Sequence, residues 1–122
     1  MSKSRPIVVR ELAAGDVDDF RAVLALFGRV FEENQTYVGA QPTTKYLRGL
    51  LGDGYFITLT AVHNNTVIGG LVAYEPRKFE QERSEVYIYD LAVDAEHRRI
   101  GIATSVKPPR YGPLLSRVSG TG

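Results

Sequence analysis

The apolar residues of this chain change period along its length. Ile7 to Val9 is a short apolar, β-branched run. After Asp16 the apolar positions fall at Phe20, Val23, Leu24, Phe27, Val30 and Phe31, three and four residues apart, which is the spacing of one helix face. A strand followed by an amphipathic helix is predicted there. A shorter second helix is predicted to carry Tyr46, Leu47, Leu50 and Leu51, with Thr43 or Thr44 as its cap and the cluster Gly52, Asp53, Gly54 as its end. Tyr55 to Val62 and Thr66 to Tyr74 read as strands joined by the two-residue turn Asn64-Asn65, a hairpin. A charged loop, Glu75 to Ser84, breaks the pattern before Glu85 to Val93 supplies a fourth strand. The predicted order is βααβββ, followed by a loop and a helix start, with no internal repeat.

The loop after the fourth strand is the most informative segment. His97, Arg98, Arg99, Ile100, Gly101, Ile102, Ala103 and Thr104 place a basic pair and two small residues between a strand and a helix start. Unpaired backbone N–H groups at such a junction form a nest for a pyrophosphate. Gly101 lets a phosphate oxygen approach the main chain, and Ala103 is the smallest residue that still favours helix. No Gly-Lys-Ser/Thr follows and the three-glycine dinucleotide fingerprint is missing, so neither a Walker loop nor a Rossmann turn is indicated.

Composition narrows the classes. The chain has 122 residues, 43% hydrophobic and 24% charged, which suits one domain with a modest core. A net charge of +1 supplies no global field for nucleic acid or an anionic membrane. The absence of cysteine removes disulfides, thiolate metal sites and a Cys nucleophile. No apolar stretch approaches the roughly 20 residues of a membrane span, and Met1 to Arg5 has no signal-peptide core, so a cytoplasmic protein is expected.

Arg98-x-x-Gly101-x-Ala103 after a strand resembles the acetyl-CoA loop of the GNAT N-acetyltransferases. The runs Lys78-Phe79-Glu80-Gln81, Arg83-Ser84-Glu85, Tyr87-Ile88-Tyr89-Asp90-Leu91-Ala92-Val93 and Glu96-His97-Arg98-Arg99 resemble, more narrowly, the aminoglycoside 3-N-acetyltransferases of the gentamicin type. The likeness spans residues 6 to 104. It implies an α+β, three-layer fold with a mixed, mostly antiparallel sheet, acetyl-CoA as cosubstrate, and direct acetyl transfer to an amine in a ternary complex. It also implies that the main chain of Leu91, Ala92 and Val93 orients the thioester, and that Arg98, Arg99, Ile100, Gly101, Ile102, Ala103 and Thr104 hold the pyrophosphate.

An ammonium must lose a proton before its nitrogen can attack, so a base is needed. Asp90 is the candidate. Ile88 and Ala92, its neighbours by strict alternation, are apolar, and their desolvation would favour a proton on it. The residues alone favour a plainer role, a buried carboxylate satisfied by a backbone N–H; the resemblance makes it the base and a substrate contact. Aminoglycosides are polycations, so carboxylates should line the acceptor site. Glu80 lies in the matching run and is the further substrate contact; Glu82 and Glu85 alternate with basic residues and suit a solvated surface, and Glu32 and Glu33 are weaker candidates.

His97 sits beside two arginines and has only His63 as a companion, so no metal site is expected. One basic pair without an aromatic platform does not indicate nucleic acid. Tyr87 and Tyr89 share a strand face and suit core or dimer packing, and Tyr37, between the helices, is read as packing. Beyond Thr104 the agreement with the family stops. Pro108 and Pro109 interrupt the expected helix, and Lys107, Arg110 and Arg117 lie among three prolines and three glycines. Residues 105–122 are therefore expected to be an atypical tail on a domain of residues 1–104 that lacks the family's C-terminal part, with a homodimer formed through sheet edges. Two other functions fit the same residues: a non-catalytic remnant that binds CoA or dimerises, and transfer to another amine such as a polyamine.

Overall fold

The computed structural model describes residues 6–100. Within them lie β1 (Val8–Glu11), α1 (Val17–Val30), a π-helical turn (Gln35–Gly39), α2 (Thr44–Leu51), β2 (Phe56–His63), β3 (Thr66–Tyr74), β4 (Tyr87–Val93) and a 3₁₀ helix (Ala95–Ile100). The four strands form one sheet in the order β1-β2-β3-β4, every pair antiparallel. The α+β class expected from the sequence is what the chain adopts. Gly101, Ile102, Ala103, Thr104 and the tail 105–122 lie outside the described residues.

Local chemistry accounts for most element ends. Thr43 caps α2, its side-chain oxygen accepting from the Tyr46 N–H at 3.2 Å. Asn64 and Asn65 take φ of 53° and 62°, the left-handed pair that a tight hairpin between β2 and β3 requires. Helix α1 closes with a Schellman reversal: the Glu32 N–H donates to the Arg29 carbonyl and the Glu33 N–H to the Gly28 carbonyl. Glu32 holds φ 56° there, a position glycine fills more comfortably.

The start of α1 is tied by side chains outside the usual cap bond. Asp16 accepts from the Ala13 N–H at 2.7 Å, and Arg10 lies 3.3 Å from the same carboxylate while also bonding Asp19. The Ala13 hydrogen bond is the largest influence holding the Asp16 carboxyl below its ordinary value of 3.8, with Arg10 adding to it. A depressed folded-state pKa gives stability that is present above the unfolded value and lost as pH falls through the folded one. Asp16→Asn should therefore show a flatter decline of urea midpoint below pH 3.8 than the native chain; parallel acid limbs would refute this assignment.

Two apolar clusters flank the sheet. Phe20, Val23, Leu26 and Phe27 of α1 and Leu47 and Leu51 of α2 pack with Phe56, Val72 and Ala92. The opposite face gathers Ile57, Leu59, Leu71, Ile88, Leu91 and Val93. Gly70 sets how closely α1 approaches β3, because a Cβ there would lie 2.7 Å from Val23 Cγ1. Among the described residues both helices belong to the first cluster.

Candidate active site

Asp90 lies near the middle of β4, and the strand's irregularity decides which way it faces. Val72 pairs with Asp90, yet Ala73 pairs with Ile88, so Tyr89 is an extra residue opposite no partner. Such a bulge shifts the in-and-out alternation by one. Ile88 accordingly joins the cluster remote from the helices, whereas Ala92 joins the helix-side cluster. The expectation that Ile88 and Ala92 flank Asp90 on one face is corrected for Ile88; strict period-two counting cannot pass through a bulge.

On the helix side Asp90 is 5% exposed, and the Tyr37 hydroxyl donates to its Oδ2 at 3.1 Å. Tyr37 does pack, as expected, with ring centroids 5.6 Å from Phe27 and 5.7 Å from Phe31. Its hydrogen bond to a residue 53 positions away was not visible in the sequence, because it depends on the π-helical turn and on the bulge together. The turn is anchored from outside: Gln41 Nε2 donates to the Tyr37 carbonyl at 3.0 Å, and Arg21 donates to Gln41 Oε1 at 2.6 Å.

Further tyrosines rim this carboxylate. The Tyr74 and Tyr89 rings meet edge-on at 5.8 Å, and Tyr74 packs on Phe56 at 5.3 Å. Burial pushes the Tyr74 phenol above its ordinary value of 10.0, with the nearby Tyr46, Tyr89 and Asp90 charges adding to the shift. Tyr74 therefore remains a protonated donor at neutral pH. Tyr46, Tyr74 and Tyr89 are all exposed, giving a polar-tipped aromatic surface of the kind that packs on sugar rings and attracts cations.

Two adjoining recesses lead away from it. Tyr55, Tyr74, Pro76 and Arg77 line one of about 370 Å³. Arg77 also borders an open cleft of about 740 Å³ walled by the charged loop as far as Ser84, Glu80 included. Glu80 is bound there by Lys78 at 2.9 Å. Glu85, which sequence reasoning placed on a solvated surface, collects the Tyr87 hydroxyl at 2.5 Å, Arg83 at 3.0 Å and Lys78 at 3.5 Å. The Tyr87 hydrogen bond, more than the two cations, holds its carboxyl below the ordinary 4.5. Glu80 belongs to the charged-loop cleft, whereas Asp90 is 5% exposed on the helix side of β4.

Downstream of Asp90, the side chains of Leu91, Ala92 and Val93 are at most 4% exposed and fill the two cores. Any ligand contact they make therefore runs through the main chain. The Asp94 N–H closes on the Ile68 carbonyl at 2.7 Å, and the chain enters the 3₁₀ helix at Ala95. His97 Nδ1 is 3.2 Å from Asp94 Oδ2, and its ring meets His63 edge-on at 5.6 Å, which ties this junction to the end of β2. Arg98, Arg99 and Ile100 belong to the 3₁₀ helix by backbone, and their side chains are outside the description. No helix among the described residues is long and apolar enough to cross a membrane.

The fold has close counterparts among solved structures. An aminoglycoside acetyltransferase from an uncultured soil metagenomic sample superposes with a TM-score of 0.84 and 42% sequence identity, covering 94% of this chain and 80% of the other. A second such enzyme from a soil metagenomic sample, solved in complex with sisomicin, gives 0.74 and 29%, covering 93% and 76%. An aminoglycoside N-acetyltransferase in complex with CoA shares the fold at 0.61 and 13% identity, covering 86% and 66%. Comparison with curated proteins gave no match. The acetyltransferase (GNAT) family model matches residues 20–106, and with the sheet and its helices in place the chain belongs to that family.

Proposed function

We propose that this protein transfers the acetyl group of acetyl-CoA to an amine of an aminoglycoside, at the 3-N position by resemblance, with both substrates bound together. The observation that carries the reading is Asp90, a carboxylate on the helix side of β4, 5% exposed and rimmed by tyrosines, in a chain 42% identical to an aminoglycoside acetyltransferase. An acceptor ammonium loses its proton to Asp90, directly or through water, and the freed nitrogen then attacks the acetyl carbon. The carbon–sulfur bond breaks, the nitrogen's second proton passes to the departing sulfur, CoA leaves as the thiol, and the amide remains on the sugar. Main-chain groups of Leu91, Ala92 and Val93 orient the acyl carbonyl, and the loop Arg98 to Thr104 receives the pyrophosphate at main-chain donors.

The acceptor's other ammonium groups are assigned to the recesses leading from Tyr74 and Arg77 toward Glu80. Lys78 now neutralises Glu80, so a polycation would displace one ion pair for another there. A cytoplasmic homodimer goes with this reading as an expectation of the sequence.

The test is release of free thiol from acetyl-CoA. Release should depend on added sisomicin or gentamicin, and CoA alone should raise the melting temperature, since a ligand at about 100 times its Kd contributes roughly 2.7 kcal/mol. Stabilisation by CoA without acceptor-dependent release would leave only a CoA-binding remnant. Stabilisation that survives Gly101→Asp would remove the pyrophosphate loop from the assignment.

A further inference from the structure

We propose that Tyr37 is a positioning residue for Asp90, holding the carboxylate through its Oδ2 so that the opposite side of the group meets the acceptor amine. The inference rests on the reading of Asp90 as the base. The hydrogen bond is 3.1 Å long and joins β4 to a π-helical turn between the helices. Isolated π turns concentrate at functional sites, because the wider turn costs backbone energy that packing alone seldom requires. Here the turn follows the Schellman reversal at Glu32, and Gly28 makes room for it: a Cβ at that position would meet Asn34 Oδ1 at 2.6 Å and Val38 Cγ2 at 3.3 Å.

The phenol is held at both ends. Its ring meets Phe27 edge-on and Phe31 at a tilt, and the Tyr37 carbonyl accepts from the Gln41 side chain, which Arg21 in turn grips from α1. Arg21 further donates to the Pro42 carbonyl at 3.1 Å and the Thr44 hydroxyl at 3.2 Å, so one guanidinium fixes the whole link from the π turn to α2. A hydroxyl supported in this way can hold a carboxylate rotamer to the tolerance that proton transfer needs. Tyr74 of β3 also feels this carboxylate, and burial, with the charges of Tyr46, Tyr89 and Asp90 adding to it, keeps the Tyr74 phenol protonated at neutral pH.

Tyr37→Phe separates this role from packing, because Phe keeps the ring and removes only the donor. The expected result is a melting temperature lowered by no more than several degrees, turnover lower by roughly tenfold, and a carboxylate less stabilised in its ionised form. The acid limb of kcat/KM and the midpoint of the Asp90 side-chain carbon resonance in the free protein should both move up by about one pH unit. The resonance needs no turnover to be read. A Phe variant with native turnover and native midpoint overturns the proposal. Asp90→Asn distinguishes the two levels: if it loses turnover while Tyr37→Phe does not, Tyr37 alone is withdrawn; if it keeps native turnover, the base assignment and the positioning role fall together.

Discussion

Asp90→Asn is expected to lower kcat/KM for an aminoglycoside by roughly 10²- to 10⁴-fold, the range that a positioned general base contributes. That corresponds to about 3–5 kcal/mol of transition-state stabilisation. Asparagine matches aspartate in shape and its carbonyl can still accept from the Tyr37 hydroxyl, so the fold and the tyrosine rim should persist. What disappears is the capacity to take a proton. Thermal stabilisation by CoA should therefore match that of the native chain, because the cofactor is assigned to main-chain groups at Leu91 to Val93 and to the loop beyond them. Rate measurements above the acceptor amine's own pKa add a check: as the neutral amine becomes abundant the defect should shrink. A variant equally impaired at all pH values would point to a side chain that shapes the acceptor site and neither takes a proton from the ammonium nor pairs with it.

Phe27→Ala should give the largest loss of stability. The side chain is 1% exposed in the last turn of α1, it stacks on Phe31 at 5.4 Å, and the Tyr37 ring meets it edge-on at 5.6 Å. Truncating a buried Phe to Ala typically costs about 3–5 kcal/mol in lost transfer energy and residual cavity. Against a total of about 5–15 kcal/mol for a domain, that is a large fraction. Urea denaturation should show the unfolding free energy falling by that amount, read as a lower midpoint with little change in slope. Any protein that remains folded should also lose turnover beyond the loss in Tyr37→Phe, because the ring that carries the hydroxyl has lost its seat. A loss under 1 kcal/mol would mean that the helix-side core closes over the gap.

The order of elements was legible because periodicity, caps and turns agreed. Helix α1 begins directly after Asp16, Thr43 caps α2, and the Asn64-Asn65 pair turns the hairpin, all as their residue types predict. Asp90 was legible as a candidate through resemblance, though not its surroundings. Alternation placed Ile88 beside it, and the extra residue Tyr89 puts Ile88 on the other side of the sheet. Nothing local in Tyr-Ile-Tyr-Asp announces a bulge, since its cause is pairing with β3. Tyr37 was missed for a related reason. A π turn leaves no periodic signature over five residues, and a tyrosine between two helices reads as packing until the strand opposite it is known. Glu85 was assigned to solvent by its charged neighbours, yet it is the residue on which Lys78, Arg83 and Tyr87 converge.

Gly28 carries a consequence for how such a protein can change. It touches no substrate in any reading offered above, yet the missing methyl is what allows the chain to fold back tightly behind α1 and present Tyr37. Even an alanine at 28 would displace Asn34 and press on Val38, and the displacement would be felt at a carboxylate sixty-two positions further along. A change at this inconspicuous spot is thus a way to move both Tyr37 and the carboxylate it holds without substituting either.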